Sequence, residues 1–437
     1  MFKTLRNALK IEDIRKKLIF TFLMLVVFRF VSQLPIPGAN RDYFQAWFAQ
    51  QTGDAFNFFD AFTGGSFTSM SLFALGITPY ITSSIIVQLL TIAIPKLEEM
   101  QKDGEDGRKK IQTISRYLTV ALALIESIAM TVGFGSRGLL AANTIPNKIV
   151  VIAAMTAGSA FLMWIGEEIT EHGVGNGISI VLLINIVSRI PDDFVTLFDQ
   201  FMKGQTILNA VVAAVVIIAV VLVTVVFVII LQDGERRIPV QYAKKMQGRK
   251  MVGGQSTNIP LKVNTAGVIP VIFASSLMSF PNVIASLLGK TGGTGIGSKI
   301  MTGLSQSSWC DPSRPIYSLG LVLYIVLVVF FAYFYTSITF NPIEISNNMK
   351  RQGGFIPGIR PGKPTTEYLS RILNYIVFIG AVGLIIVGVI PIFFNGMFGA
   401  NVSFGGTSII IIVGVILETV KQVESQLLVR NYKGFLN

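Results

Sequence analysis

The sequence predicts an all-α polytopic membrane protein: ten transmembrane helices in two five-helix halves of inverted topology. Three observations predict it. The composition is too apolar for a domain surrounded by water, ten apolar runs recur along the chain, and a Gly/Pro pattern returns at an offset of 191 residues, from Gly76 to Gly267. Of the 437 residues, 51% are apolar and only 14% are charged, with a mean hydropathy of +0.63. So few charges cannot coat a soluble domain of this size. So much apolar surface also excludes a disordered chain.

The spans follow in order. A bilayer crossing needs about 20 apolar residues in helical form. The clearest run is Ala210–Leu231, in which Thr224 is the one polar residue. The others are 18–34, 71–94, 117–133, 149–166, 178–190, 266–288, 317–338, 372–394 and 402–420. The fifth, 178–190, is the shortest and is expected to extend in both directions. No stretch between spans is expected to bury a core of its own. Residues 1–437 therefore read as a single membrane domain, with an N-terminal half over 18–190 and a C-terminal half over 208–428.

Charge sets the orientation, because Lys and Arg accumulate in cytoplasmic loops. Net charge is +12, from 36 Lys and Arg against 24 Asp and Glu. With ten spans, 27 of the 36 fall on the side of the N-terminus and eight on the other, and Arg29 lies within the first span. Both termini are expected in the cytoplasm.

The repeat lies in the second and seventh spans. Gly76-Ile-Thr-Pro79-Tyr-Ile81-Thr-Ser-Ser84 aligns with Gly267-Val-Ile-Pro270-Val-Ile272-Phe-Ala-Ser275. Partners five spans apart run in opposite directions, the signature of inverted repeats, which place a site or pathway between the halves. Gly and Pro are also common in single membrane helices as kinks, so the match gains weight from agreeing with the helix count.

The segments between spans carry the remaining signals. Residues 57–67 are short, aromatic and external; Phe58, Phe59 and Phe62 share one helical face, and Gly64-Gly65 ends it. Such a segment either re-enters the protein or lies flat at the outer interface. The loops 232–263 and 339–371 both exceed the usual connection length. Their basic residues, including Arg249, Lys250 and Arg360, suit RNA phosphates, an acidic protein face or anionic lipid. The second loop reads Gly353-Gly-Phe-Ile-Pro-Gly-Ile-Arg-Pro-Gly362, which implies defined turns.

Several chemistries are excluded. One Cys (Cys310) permits no intrachain disulfide or thiolate cluster, and one His (His172) argues against a His-rich metal site or a paired nucleophile. No Walker-type phosphate loop is present, so energy must come from a partner. Glu126, midway along the third span, is the ionisable group that needs a wet cavity or polar partner.

Five segments together resemble the SecY family, the channel-forming subunits of the Sec protein translocase. They are Ala74-Leu-Gly-Ile-Thr-Pro-Tyr-Ile81, Gly173-Val-Gly-Asn-Gly-Ile-Ser179, Arg237-Ile-Pro-Val-Gln-Tyr-Ala-Lys244, Gly254-Gln-Ser-Thr-Asn-Ile-Pro-Leu-Lys-Val-Asn264 and Gly358-Ile-Arg-Pro-Gly362. The resemblance covers nearly the whole chain. It implies a central pore between the halves with a waist of aliphatic side chains: Ile81, Ile85, Leu182, Ile186, Ile272 and Ile411. Leu182 stands where the family often has Ile. It further implies a plug at 57–67 and a lateral gate lined by Gln88, Glu126 and Asn264, with an acid at 126 where some members have an amide. The residues themselves add that Ile81, Ile85 and Gln88 keep i, i+4, i+7 spacing on one helical face.

As partners the resemblance implies the small membrane subunits SecE and SecG, the motor ATPase SecA and the ribosome, these last two docking at Arg249, Lys250 and Arg360, together with signal-bearing preproteins and anionic lipid. It implies a bacterial plasma membrane and no cofactor. Two rival readings fit parts of the pattern. An ion-coupled transporter shares inverted repeats and Pro-broken helices, but needs a compact polar site beyond Glu126 and Gln88. An intramembrane hydrolase needs a nucleophile–base pair or metal motif that the spans lack.

Overall fold

The computed structural model describes residues 9–50, 60, 63–135, 138, 140–203, 207–242, 245–247, 250–252, 256–287, 296–305, 308–310, 315–398 and 406–433. A helix covers most of each apolar run. In chain order these are α1 (Glu12–Val31), the short α2 (Arg41–Gln50), α3 (Thr78–Ala93), the short α4 (Pro95–Lys102), α5 (Glu105–Phe134), α6 (Ile145–His172), α7 (Gly177–Phe201) and α8 (Ile207–Asp233). After a β region come α9 (Ile269–Leu287), α10 (Ile296–Leu304), α11 (Leu319–Thr339), α12 (Pro342–Arg351), α13 (Lys363–Phe398) and α14 (Gly406–Lys433). Among the described residues, five helical segments are long and apolar enough to cross a membrane by themselves: α5, α6, α8, α11 with α12, and α13. A sixth arises if α3 and α4 count as one broken span. Helices α1, α7 and α14 carry charges such as Lys16, Lys17, Arg189, Lys421 and Glu424 that dilute their apolar stretch.

Local chemistry explains where the helices begin and break. Proline stands in the first turn of α3, α4, α6 and α12, where its missing N–H costs no hydrogen bond. Asn176 Oδ1 caps α7 by accepting from the backbone N–H groups of Ile178 and Ser179 at 3.1 and 3.3 Å. The chain turns by 105° between α3 and α4. Ile94, immediately before Pro95, is extended there (φ −113°, ψ 109°), the conformation that a following proline favours. The second apolar run is shorter as a helix than its sequence suggests: residues 71–77 form successive turns, and α3 starts only after Gly76 (φ +58°).

The all-α expectation is corrected between α8 and α9. In loop 232–263, β1 (Glu235–Tyr242) runs antiparallel to β4 (Ser256–Lys262), and β2 (Lys245–Gln247) pairs with β3 (Lys250–Val252) in a smaller ladder. The other long loop contributes β5 (Gly354–Phe355), which pairs with Gln241 and Tyr242 of β1. One sheet, ordered β4-β1-β5, therefore joins both loops. It also buries a core, against expectation: Ile238, Val240 and Leu261 from β1 and β4 pack with Met349, Ile356 and Leu369 from the second loop and its flanking helices. Neither loop has enough apolar surface alone, but the two together do. The buried Ile238 and Val240 alternate with exposed Arg237, Pro239 and Gln241, the period-two pattern of a half-buried strand.

The three largest further apolar clusters among the described residues organise the helices. One packs Ile36, Phe44 and apolar residues of 67–75 against α5 and α6 around Met70, Phe134 and Met155. A second lies among α8, α9, α11, α13 and α14, with Trp309 and Tyr324 fully enclosed. The third joins residues of α1, α3, α6 and α7 to residues of α9 and α14.

Candidate functional site

The third cluster draws on helices from both parts of the chain. Leu182, Ile186 and Ile411 are buried in it beside Ile77, Ile165, Ile180 and Val181. Ile81 and Ile272 are half-buried and pack against it. Five of the six aliphatic residues singled out in the sequence thus meet in one place, from α3, α7, α9 and α14. Ile85, one turn along α3 from Ile81, is half-buried and lies outside this cluster.

The starts of α3 and α9 deliver Ile81 and Ile272 in the same way. Gly76 and Gly267 both take a left-handed conformation, φ +58° and +63°, which a side chain would disfavour. Each is followed two residues later by the first residue of its helix. The Ile81 N–H donates to the Ile77 carbonyl at 3.0 Å, and the Ile272 N–H donates to the Val268 carbonyl at 3.1 Å. The aligned motifs therefore share their backbone and first hydrogen bonds as well as their letters.

Among the described residues, the principal seams between helices α1–α7 and helices α8–α14 are two. Helix α7 packs extensively on α14, and α5 touches α9 over a much smaller region. Gln88 is exposed on α3, and Glu126 is half-buried on α5, the helix of the thinner seam. Asn264 sits between β4 and α9, buried, and its amide nitrogen has no hydrogen-bond partner among the described residues. A buried amide N–H left unpaired is costly and marks a place where a partner is to be expected.

Phe58, Phe59 and Phe62 lie outside the described residues, as does Arg249; of Lys250 the backbone alone is described, paired with Gln247. Gly64 and Gly65 are described, both at positive φ (+64° and +83°), and they rest on α7. A Cβ on Gly64 would come within 2.8 Å of Asn185 Oδ1, and one on Gly65 within 3.4 Å of Arg189 Nη1. Arg360 is exposed in a turn bounded by Gly358 (φ +82°) and Gly362 (φ +102°), and its carbonyl accepts from the Thr365 hydroxyl at 2.8 Å. Cys310, the single thiol, is half-buried, and burial pushes its pKa up, so it is a weak nucleophile.

Two residues escaped the sequence analysis. Asp60 is fully buried and ion-paired with Arg189, Nη1 to Oδ2 at 2.8 Å. The available signal was an acid in an aromatic stretch and a base at i+7 from Leu182, but the residues are 129 apart and nothing in either segment pairs them.

Comparisons place this geometry in a family. The SecY family model matches residues 71–420. The chain belongs to the SecY family. Among curated relatives, the protein translocase subunit SecY of Halalkalibacterium halodurans is 43% identical over 447 residues, covering 100% of both chains. The fold is that of solved SecY-family channels. A structure described as showing that the plug domain of the SecY protein stabilises the closed state of the translocation channel aligns with a TM-score of 0.63 at 20% identity, over 94% of this chain and 92% of that one. The yeast Ssh1 complex bound to the 80S ribosome aligns with a TM-score of 0.61 at 14% identity, over 96% and 89%. This SecY-family chain is thus a mostly helical, multi-pass membrane protein.

Proposed function

We propose that this chain is a protein-conducting channel, not an enzyme, which passes unfolded secretory polypeptides across the bacterial plasma membrane and releases membrane segments sideways into lipid. The observation that carries the reading is the meeting of Ile81, Leu182, Ile186, Ile272 and Ile411 from four helices in one apolar cluster between the two parts of the chain. Ten spans in two inverted halves, 18–190 and 208–428, would surround it, with both termini cytoplasmic. The matching backbone at Gly76 and Gly267 and the Lys/Arg asymmetry support that arrangement.

The physical need is plain. An extended chain cannot cross lipid, because each unpaired peptide group costs several kcal/mol there. A protein-lined path removes that penalty. Aliphatic side chains at the waist, Ile85 included, bind no particular sequence and yield to varied side chains. At rest a narrow apolar constriction disfavours water and so limits ion leak. The plug, residues 57–67 with Phe58, Phe59 and Phe62, would add to that seal, supported by the rest of Gly64 and Gly65 against α7. The lateral gate would open at the thin α5–α9 seam beside Gln88, Glu126 and Asn264, letting apolar segments leave by burial in lipid.

Energy would come from outside, from the motor ATPase SecA or the ribosome docking at Arg249, Lys250 and Arg360. The sheet that unites both long loops supports a single docking platform. SecE and SecG would complete the assembly, and anionic lipid would meet the cytoplasmic Lys and Arg. Reconstituted vesicles provide the test. Entry of a signal-bearing preprotein only when SecA and ATP are supplied is the expected result. Saturable uptake of a small solute driven by an ion gradient would contradict it and favour a transporter.

A further inference from the structure

The waist does not stand alone on α7. Leu182, Asn185, Ile186 and Arg189 follow i, i+3, i+4, i+7 spacing, so one face of this helix carries two waist residues and then an Asn and an Arg. The segment that leads into α3 is fastened to the end of that face. Asp60, with no exposed side-chain area, lies 2.8 Å from Arg189 Nη1, whose side chain is 25% exposed. The second carboxylate oxygen accepts from the Thr68 backbone N–H at 3.0 Å and its hydroxyl at 2.8 Å. The Asp60 carbonyl accepts from the Gly65 N–H and the Thr63 hydroxyl, both at 3.1 Å, and that hydroxyl in turn accepts from Phe67 N–H. Asp60 therefore folds residues 63–68 into a compact turn around itself and ties that turn to α7. The two glycines that allow the turn to touch Asn185 and Arg189 lie at its centre.

We infer that Asp60 and Arg189 are positioning residues that form a clasp, which holds the closing segment against the waist at rest and parts when a polypeptide enters. This inference rests on the reading of residues 57–67 as the plug. A buried ion pair suits a device that must open. Its desolvation cost cancels much of its attraction, so the pair confers specificity of position with little net strength. Its alignment here is incomplete: the contact is an ion pair by distance, and neither Asp60 Oδ2 nor Arg189 Nε has a hydrogen-bond partner among the described residues. Water admitted by an entering chain would solvate both groups as they separate. Removing one partner is different in kind, because it leaves the other as an uncompensated buried charge and loosens the segment at rest.

The test uses the complete translocase in vesicles, with ion leak per channel and preprotein translocation measured side by side. Asp60→Asn and Arg189→Gln are each expected to raise the leak at least about tenfold, because each leaves its partner as an uncompensated charge. The double variant should leak no more than either single one, because the two act as a unit. Arg189→Lys, which keeps the charge, should stay near the parent, and all four should still translocate a preprotein. Deleting residues 57–67 is the control. If the deletion leaks while the single variants do not, the clasp is wrong and the plug reading stands. If the deletion does not leak, the plug reading fails and the clasp with it. Leaks that multiply in the double variant, or translocation lost together with the seal, would also overturn the proposal.

Discussion

The starts of α3 and α9 have the same backbone and different neighbours. Both turn through a left-handed glycine and both present an isoleucine to the same cluster. Yet a Cβ on Gly76 would meet the Thr63 methyl at 2.7 Å, whereas one on Gly267 would meet nothing within 4 Å among the described residues. The difference comes from what precedes each helix. Before α3 runs the turn fastened to α7 by Asp60 and Arg189. Before α9 runs β4, the edge of the sheet that joins the two long loops. The repeated motif supplies the turn, and the connecting segments supply the control. One start is coupled to the turn at residues 63–68, the other to the sheet that joins both long loops.

The largest effect is expected where the two starts converge. Ile186 is 2% exposed in the shared cluster, so Ile186→Ala should destabilise the protein by about 2–5 kcal/mol in a detergent unfolding titration. Ile85→Ala, at a half-buried position outside the cluster, should cost well under half of that. Equal losses would remove the distinction between them.

The glycines sharpen the comparison directly. Gly267→Ala meets only the left-handed backbone, about 1–2 kcal/mol. Gly76→Ala meets the same penalty plus overpacking against Thr63, about 1–3 kcal/mol more. The same titration should therefore separate them, and Thr63→Ala should bring Gly76→Ala back toward Gly267→Ala. Indistinguishable variants would mean that the turn before α3 does not press on the motif.

The smallest effect is expected at an exposed tie within the C-terminal half. Lys421 Nζ lies 2.6 Å from Asp233 Oδ1, linking α14 to α8, with both side chains at least half exposed. Lys421→Ala should change stability by no more than about 0.5 kcal/mol, and less in high salt. By contrast, Arg116→Ala strips the Nε–H bond, 2.9 Å long, from Glu167, whose side chain is only 9% exposed, and should cost about 1–3 kcal/mol.

Much of this was legible in the sequence, for physical reasons. Apolar runs must become helices in lipid, since no other open structure pairs its own backbone. Gly76 and Gly267 announce a turn that only glycine adopts readily, and Pro79 and Pro270 announce the helix that follows. That logic reached Ile81, Ile272 and, through the family resemblance, Leu182, Ile186 and Ile411. It did not reach the sheet, because β5 is two residues long and its partner Tyr242 lies more than 100 residues earlier. Strand alternation in β1 was present, but Arg236-Arg237 at its start carries the stronger signal of charge. It did not reach Asp60 and Arg189 either: each looks like an ordinary external charge until the fold brings them together.

The most direct test of the central claim follows a preprotein stalled in transit, its middle carrying a thiol-reactive crosslinker. With Cys310 replaced by Ser, single cysteines at positions 81, 186, 272 and 411 should each capture the stalled chain, while a cysteine at Val223, on the exposed face of α8, should not. Capture at Val223 with none at the four cluster positions would place the path elsewhere and contradict the account.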